Sequence, residues 1–138
     1  MEDIGGCRVV LPTLDEVQAV VARIRNNWPE AAVTDYIAHP KEDGYRGVHV
    51  VKRRGGRLVE VQLRTMRQHE WAEAIEVFSP VVGFNLKDGG GPADLREYFK
   101  QAAERLANDD RGEDRDPAAE EAFAALREQV MHYFIRNP

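Results

Sequence analysis

GYRGVHVVKRRGGRLVEVQLRT, residues 44–65, reads as two extended segments joined by a Gly-Gly turn. In the second segment, strict alternation puts Glu60, Gln62 and Arg64 on one face and Val59, Val61 and Leu63 on the other. The first segment alternates too, with Tyr45, Gly47, His49 and Val51 sharing a face. If Gly55-Gly56 is a two-residue hairpin loop, the register is set: His49 faces Gln62, Val51 faces Glu60 and Gly47 faces Arg64. Tyr45, His49, Glu60, Gln62 and Arg64 then share one surface. A half-buried sheet has no need of an aromatic ring, an imidazole, a carboxylate, an amide and a guanidinium in one place, so this surface is a candidate site.

The 138 residues around this hairpin amount to one domain, with enough chain for a single core. With 43% hydrophobic and 31% charged residues the composition is that of a globular protein. Cys7 has no second cysteine to pair with, which fits a reducing cytoplasm. The sequence holds no apolar run of about 18 residues and no signal-peptide pattern, so a cytoplasmic protein without a membrane partner is expected. The net charge of −5 argues against general nucleic-acid binding. Residues 41–64 nevertheless hold seven basic residues against three acidic ones, which leaves −9 for the rest. A local positive field on an acidic protein suits a small polyanion such as a nucleotide. The alternative for Lys52, Arg53, Arg54 and Arg57 is a solvated hairpin edge protected by charge.

Upstream of the hairpin, Asp3-Ile4-Gly5-Gly6-Cys7-Arg8 runs into a short apolar strand at Val9-Val10-Leu11. The glycines read either as a close backbone approach to a ligand or, more simply, as a turn. Thr13 and Glu16 form a capping box for a helix to about Asn27, with Leu14, Val17, Val20, Val21 and Ile24 as its apolar stripe. Val33 to Ala38 reads as another strand, and residues 39–44 as a polar turn in which Lys41 can reach a phosphate or simply be exposed.

Downstream, a helix is expected from Met66 to about Phe78, with His69 and Glu73 four apart on one face. No HExxH zinc motif is present. Residues 79–91 read as a loop. A helix after Pro92 carries Leu95, Tyr98, Phe99, Ala102, Ala103 and Leu106. Residues 108–116, NDDRGEDRD, read as a charged mobile linker. A last helix from Pro117 has Ala122, Phe123, Leu126, Val130 and Phe134 as its stripe, packing either on the domain or on another subunit of a homo-oligomer. The expected fold class is α+β, a small mixed sheet covered by helices.

DIGGCR, then DYIAHPKEDGYRGVHV, then VEVQLRT followed by QHEWAE resembles the synthetase domain of the RelA/SpoT family, the alarmone (ppGpp) synthetases of nucleotidyltransferase-like fold. The three blocks occur in the family's order and spacing between about Glu2 and Lys87; the later helices contribute nothing to the likeness. The resemblance implies a synthetase core over residues 1–90, short at its N-terminus, with a helical extension over 91–138. It implies pyrophosphate transfer from ATP to the 3′-hydroxyl of GDP or GTP, with Mg2+ as cofactor.

Carried over by motif, Asp3 and Glu60 become the metal-binding and catalytic carboxylates, with Glu60 also a candidate general base. Tyr45 would stack on guanine, Lys41 and His49 would lie near the acceptor's phosphates, Gln62 near the guanosine, and Arg8 against the donor's adenine. Arg64, His69 and Glu73 match family positions without a clear role, and Arg46 comes directly after the stacking ring. Gly47 and Asp43 stand where many relatives have Ser and Asn. Family members also carry a basic helical segment ahead of the DIGGCR-like block, where only Met1 and Glu2 stand here, so weakened ATP binding is expected. The alternatives are a non-catalytic nucleotide-binding or interaction module and a toxin-like relative that pyrophosphorylates a tRNA end or an adenosine nucleotide.

Overall fold

The computed structural model describes residues 4–135. In order these form β1 (Ile4–Leu11), α1 (Leu14–Asn27), β2 (Ala32–Asp35), β3 (Val48–Arg54), β4 (Arg57–Thr65), α2 (Met66–Val82), α3 (Ala93–Asp110) and α4 (Pro117–Val130). Short 3-10 turns occur at Leu86–Asp88 and Met131–Tyr133. Residues 4–41 and 46–69 make one compact unit, and 42–45 with 70–135 the other.

The first unit is a four-stranded mixed sheet of order β1-β4-β3-β2. The β3–β4 hairpin has the register expected from the Gly-Gly turn: His49 opposite Gln62, Val51 opposite Glu60, and Arg54 opposite Arg57 at the tip. Gly55 and Gly56 have φ of 58° and 79°, and positive φ at both loop positions is what a type I′ turn demands. β2 pairs antiparallel with β3, and β1 pairs parallel with β4. Helix α1 starts as expected, with the Glu16 N–H donating to Thr13 Oγ1 at 3.2 Å. Its Val17, Val20, Val21 and Ile24 pack with Val9, Val48, Val50, Val61 and Leu63 over one face of the sheet. Alternation leaves Glu60, Gln62, Arg64 and His49 for the opposite face.

Three expectations shift here. The glycine pair is neither a turn nor ahead of the strand: Gly5 and Gly6 lie within β1, paired with Val59 and Glu60. β2 stops at Asp35 rather than running to Ala38, because Asp35 Oδ1 accepts from the N–H groups of Ile37 and Ala38 and turns the chain. β3 starts at Val48, so Tyr45 and Gly47 precede it; the Gly47 carbonyl accepts from the Tyr36 N–H at 2.8 Å instead.

In the second unit, Trp71, Ile75, Leu86, Leu95, Phe99, Ala103 and Val130 form the core. Trp71 Nε1 donates to the Phe99 carbonyl at 2.8 Å. Helix α2 runs one turn past the expected end, through Pro80, and Ser79 Oγ ties the next turn back to the helix by accepting from the Leu86 N–H. The charged stretch 108–116 is an ordered connection. Helix α3 extends to Asp110, Arg115 pairs with Asp109, and Arg105 grips Glu120 through two hydrogen bonds. Asp116 then caps α4, accepting from the Ala119 N–H. The α4 stripe packs within its own unit, with Val130 fully buried and the Phe123 ring stacked on Tyr98. No helix of the described residues is long and apolar enough to cross a membrane.

Candidate functional site

Parallel pairing of β1 with β4 brings Gly6 beside Glu60 and Arg8 beside Gln62. These residues and Cys7 line an open cleft of about 300 Å3. At Gly6 an added Cβ would sit 3.7 Å from the Glu60 carbonyl oxygen, and at Gly5 it would meet nothing within 4 Å. The floor of the cleft at Gly6 is bare backbone, so a bulky ligand has steric room to approach it closely.

Glu60 is the start of a polar chain along the face of β4 that turns away from α1. Its Oε1 accepts from Gln62 Nε2 at 2.9 Å. Gln62 Oε1 accepts from Arg64 Nη2 at 3.1 Å, and Arg64 Nη1 lies 3.4 Å from His69 Nδ1. Across the hairpin, His49 Nδ1 lies 3.6 Å from Glu60 Oε1. Burial lowers the His49 pKa below its ordinary value; the Glu60 carboxylate pulls it up, while Lys41 and Arg64 push it down further. The net direction is downward, so His49 is neutral at pH 7 and its approach to Glu60 is a contact between a neutral ring and a carboxylate, not an ion pair.

Tyr36 belongs to this cluster and was not anticipated from the sequence. Its ring stands edge-on to His49 at 5.2 Å, and the Lys41 ammonium lies 4.7 Å over its face. The available signal was Asp35, a turn former, which ends β2 and takes Tyr36 out of strand alternation. The sheet unit thus gathers Arg8, Lys41, His49, Glu60, Gln62, Arg64 and His69, with half-buried Arg46 at the approach to β3. Tyr45 and Glu73 belong to the helical unit: Tyr45 packs on the cluster around Trp71 and Phe99, and Glu73 is exposed on α2. Asp3 lies outside the described residues.

No group of three or more His, Cys, Asp or Glu that could hold a metal exists among the described residues. A single carboxylate in an open cleft is a poor site for zinc, but it fits magnesium, which takes hard oxygen donors and keeps waters and phosphate oxygens in its shell.

The family model described as "Region found in RelA / SpoT proteins" matches residues 1–77, more than half of the chain. A probable GTP diphosphokinase RSH2, chloroplastic, of rice (Oryza sativa subsp. japonica) is 34% identical over 93 residues, covering 65% of this chain and 12% of that protein. The GTP pyrophosphokinase of Escherichia coli K12 is 35% identical over 74 residues, covering 51% of this chain and 10% of its own length. The chain therefore spans about a tenth of these curated relatives. Among solved structures, the small alarmone synthetase 1 of Bacillus subtilis bound to its product pppGpp superposes with a TM-score of 0.60 at 25% identity, over 91% of this chain and 62% of that one. The mixed sheet with its helices is thus the nucleotidyltransferase-like fold of the alarmone synthetases, and the chain belongs to the RelA/SpoT family.

Proposed function

We propose that this chain transfers pyrophosphate from ATP to the 3′-hydroxyl of GDP or GTP. The 3′-oxygen attacks the β-phosphorus of ATP. The bond from that phosphorus to the α,β-bridging oxygen breaks, AMP leaves, and the hydroxyl proton passes to Glu60 or to solvent. The observation that carries the reading is the Glu60 carboxylate at the edge of a bare-backbone cleft, flanked by Arg8 and Gln62, within a positively charged sheet unit. The relatives named as GTP pyrophosphokinases support it.

In this reading Glu60, with Asp3, holds Mg2+, which would offset the charge that develops at the transferring group. Arg8 lies against the donor nucleotide. Gln62 offers its amide to the acceptor, and Lys41 supplies a cation for the acceptor's phosphates. His49, being neutral, acts as a hydrogen-bonding group there rather than as a charge. The stacking role of Tyr45 rests on the GY motif alone. C-terminal helices as an oligomer contact remain part of the proposal, with the exposed Met131 and Ile135 as the apolar side chains available for it.

The test is turnover. The 138-residue chain is incubated with ATP, magnesium and GDP or GTP, and the products are separated. AMP together with a guanosine 3′-pyrophosphate, both lost in Glu60→Gln, is the expected result. Binding of GDP or GTP without turnover would leave an acceptor site and refute the transferase reading. Neither binding nor turnover would refute the nucleotide reading as a whole.

A further inference from the structure

We propose that Arg64 is a positioning residue that aims the Glu60 carboxylate by fixing the orientation of the Gln62 amide. The inference rests on the pyrophosphate-transfer reading above and concerns a residue to which that reading assigns no task. Arg64 is buried at 6% exposure, although it is permanently charged. Burying a guanidinium carries a desolvation cost that an unbranched apolar side chain such as methionine would avoid. What an apolar side chain could not supply is a fork of donors, and both ends of that fork are occupied by named groups. Nη2 donates to Gln62 Oε1, and Nη1 approaches His69 Nδ1.

The direction of the chain is dictated by donor and acceptor chemistry. Arg only donates, so the Gln62 group facing it must be the carbonyl oxygen. The other end of the amide, Nε2, is then turned to Glu60, where it donates to Oε1 at 2.9 Å. If the amide turned over, its oxygen would face the carboxylate, and two acceptors would repel across the same gap. Gln62 lies two residues from each neighbour on one strand face, so a single amide bridges the spacing between them. Arg64 thereby decides which end of Gln62 meets Glu60, and the donated hydrogen bond holds one carboxylate oxygen so that the plane of the group is set.

The anchor of this chain is stiff. Thr65 comes directly after Arg64 and caps α2: Gln68 N–H donates to Thr65 Oγ1 at 3.1 Å, and Thr65 N–H donates to Gln68 Oε1 at 2.9 Å. Both capping residues are buried. Strand β4 passes into α2 with no loop, and the reciprocal cap fixes His69, in the first turn of the helix, against the guanidinium that precedes the cap. Because a guanidinium only donates, the His69 nitrogen that faces it is the acceptor of that contact.

Two readouts test this on the whole chain. In turnover, Arg64→Lys keeps a cation but replaces the fork with one point donor; kcat should fall about 10- to 100-fold, the usual scale for outer-shell partners, with KM for ATP changed less than about threefold. The double variant Arg64→Lys/Gln62→Ala should be no slower than Gln62→Ala alone, since lysine keeps the positive charge and the effect of the fork on Glu60 is already lost once that amide is gone. Additive losses would overturn the proposal. Gln62→Glu is the second variant, because it needs no change at the buried position. It should melt no lower than the parent, Arg64 now meeting a carboxylate, yet lose at least about tenfold in kcat because an acceptor faces Glu60; full activity would overturn the proposal. Independently of turnover, the side-chain amide resonances of Gln62 in 15N spectra should shift and broaden in Arg64→Lys. If they are unchanged, Arg64 does not orient that amide. A parent chain with no turnover would remove the reaction reading, and the catalytic meaning of the relay with it. The amide resonances would then report separately whether Arg64 still orients Gln62.

Discussion

Gly44→Ala isolates a constraint that holds residues 42–45 against the helical core of their own unit. Gly44 has φ of +101°, a conformation that side-chain-bearing residues rarely adopt, at a cost of about 1–3 kcal/mol. It is also buried against α3. An added Cβ would stand 2.9 Å from Ala103 Cβ, 3.2 Å from Lys100 Cα and 3.4 Å from Trp71 Cζ2. The first two neighbours cannot rotate away, so the helix must shift, which adds about 1–3 kcal/mol of overpacking. Alanine also restricts the unfolded chain, which returns about 0.4–1 kcal/mol. The net loss is about 3 kcal/mol. With an unfolding entropy near 2.1 cal/mol/K per residue, 138 residues lose about 10 °C in Tm. Gly112→Ala is the internal control. Its φ is +66° and nothing lies within 4 Å of the added carbon, so strain acts without overlap and Tm should drop by only about 3–4 °C. Differential scanning calorimetry on the three proteins decides it. Equal drops for the two variants would refute the overlap, and a parent-like Tm for Gly44→Ala would refute the backbone reading as well. The Tyr45 N–H is held by Asp43 Oδ1 at 2.9 Å, directly beside the substituted residue, so under the proposed stacking role of Tyr45 Gly44→Ala should also weaken GDP binding in calorimetric titration.

Leu63 is fully buried between α1 and the sheet, so Leu63→Ala should cost about 3–4 kcal/mol, read as a lowered urea midpoint at unchanged m. Asp116→Ala removes the N-cap of α4 and should cost about 1 kcal/mol, whereas Asp116→Asn should lose only a few tenths. The His49 pKa is lowered in the fold, so below about pH 6.5 the unfolded chain takes up a proton that the native state resists. Stability measured without divalent metal should be unaffected above that pH, decline as pH falls through it, and level off below the folded-state pKa; His49→Gln should flatten the decline. Chelation of magnesium should abolish the proposed pyrophosphate transfer, with the Tm of the nucleotide-free chain as the control that separates loss of a reaction metal from loss of the fold.

The hairpin is legible to the residue because each local signal agrees with the others. Alternation sets the faces and the Gly-Gly pair sets the register, since a type I′ turn closes a two-residue loop in only one way. The Thr13 cap is legible for the same local reason. A second box of the same kind, Thr65-Met66-Arg67-Gln68, is equally readable, but the change in period at that point masks it. What local pattern does not encode is parallel pairing. Nothing in DIGGCR specifies that its strand lies beside β4, yet that pairing alone puts Gly6 and Arg8 next to Glu60 and Gln62. Alternation also extends too far upstream, to Tyr45: β3 begins only at Val48, and the Gly47 carbonyl accepts from the Tyr36 N–H instead, a contact that alternation does not encode. The run NDDRGEDRD misleads in the other direction. Its charge content suggests a mobile linker, but its signs alternate, so Arg111 reaches Asn108 and Glu113 while Arg115 reaches Asp109.

The charge pattern resolves a tension that the net charge creates. Residues 1–41 and 46–69 carry eleven Lys and Arg against seven Asp and Glu, and the remaining residues carry eight against seventeen. The sheet unit is therefore +4 and the helical unit −9, and the overall −5 describes neither. At physiological ionic strength, interactions between exposed charges are screened beyond about 8 Å, so in the proposed function a bound nucleotide responds mainly to the charges nearest to it. His49 sits within that field, but burial is the main cause of its lowered pKa; the Glu60 carboxylate opposes the shift, and Lys41 and Arg64 add smaller downward pushes. Part of this positive potential comes from Arg64, whose guanidinium is buried and held by hydrogen bonds rather than waving in solvent. A fixed, desolvated cation of this kind retains its effect in salt where exposed hairpin-tip arginines would lose theirs. Nucleotide affinity should accordingly fall far less between low and high salt than a site built from Arg53, Arg54 and Arg57 would allow.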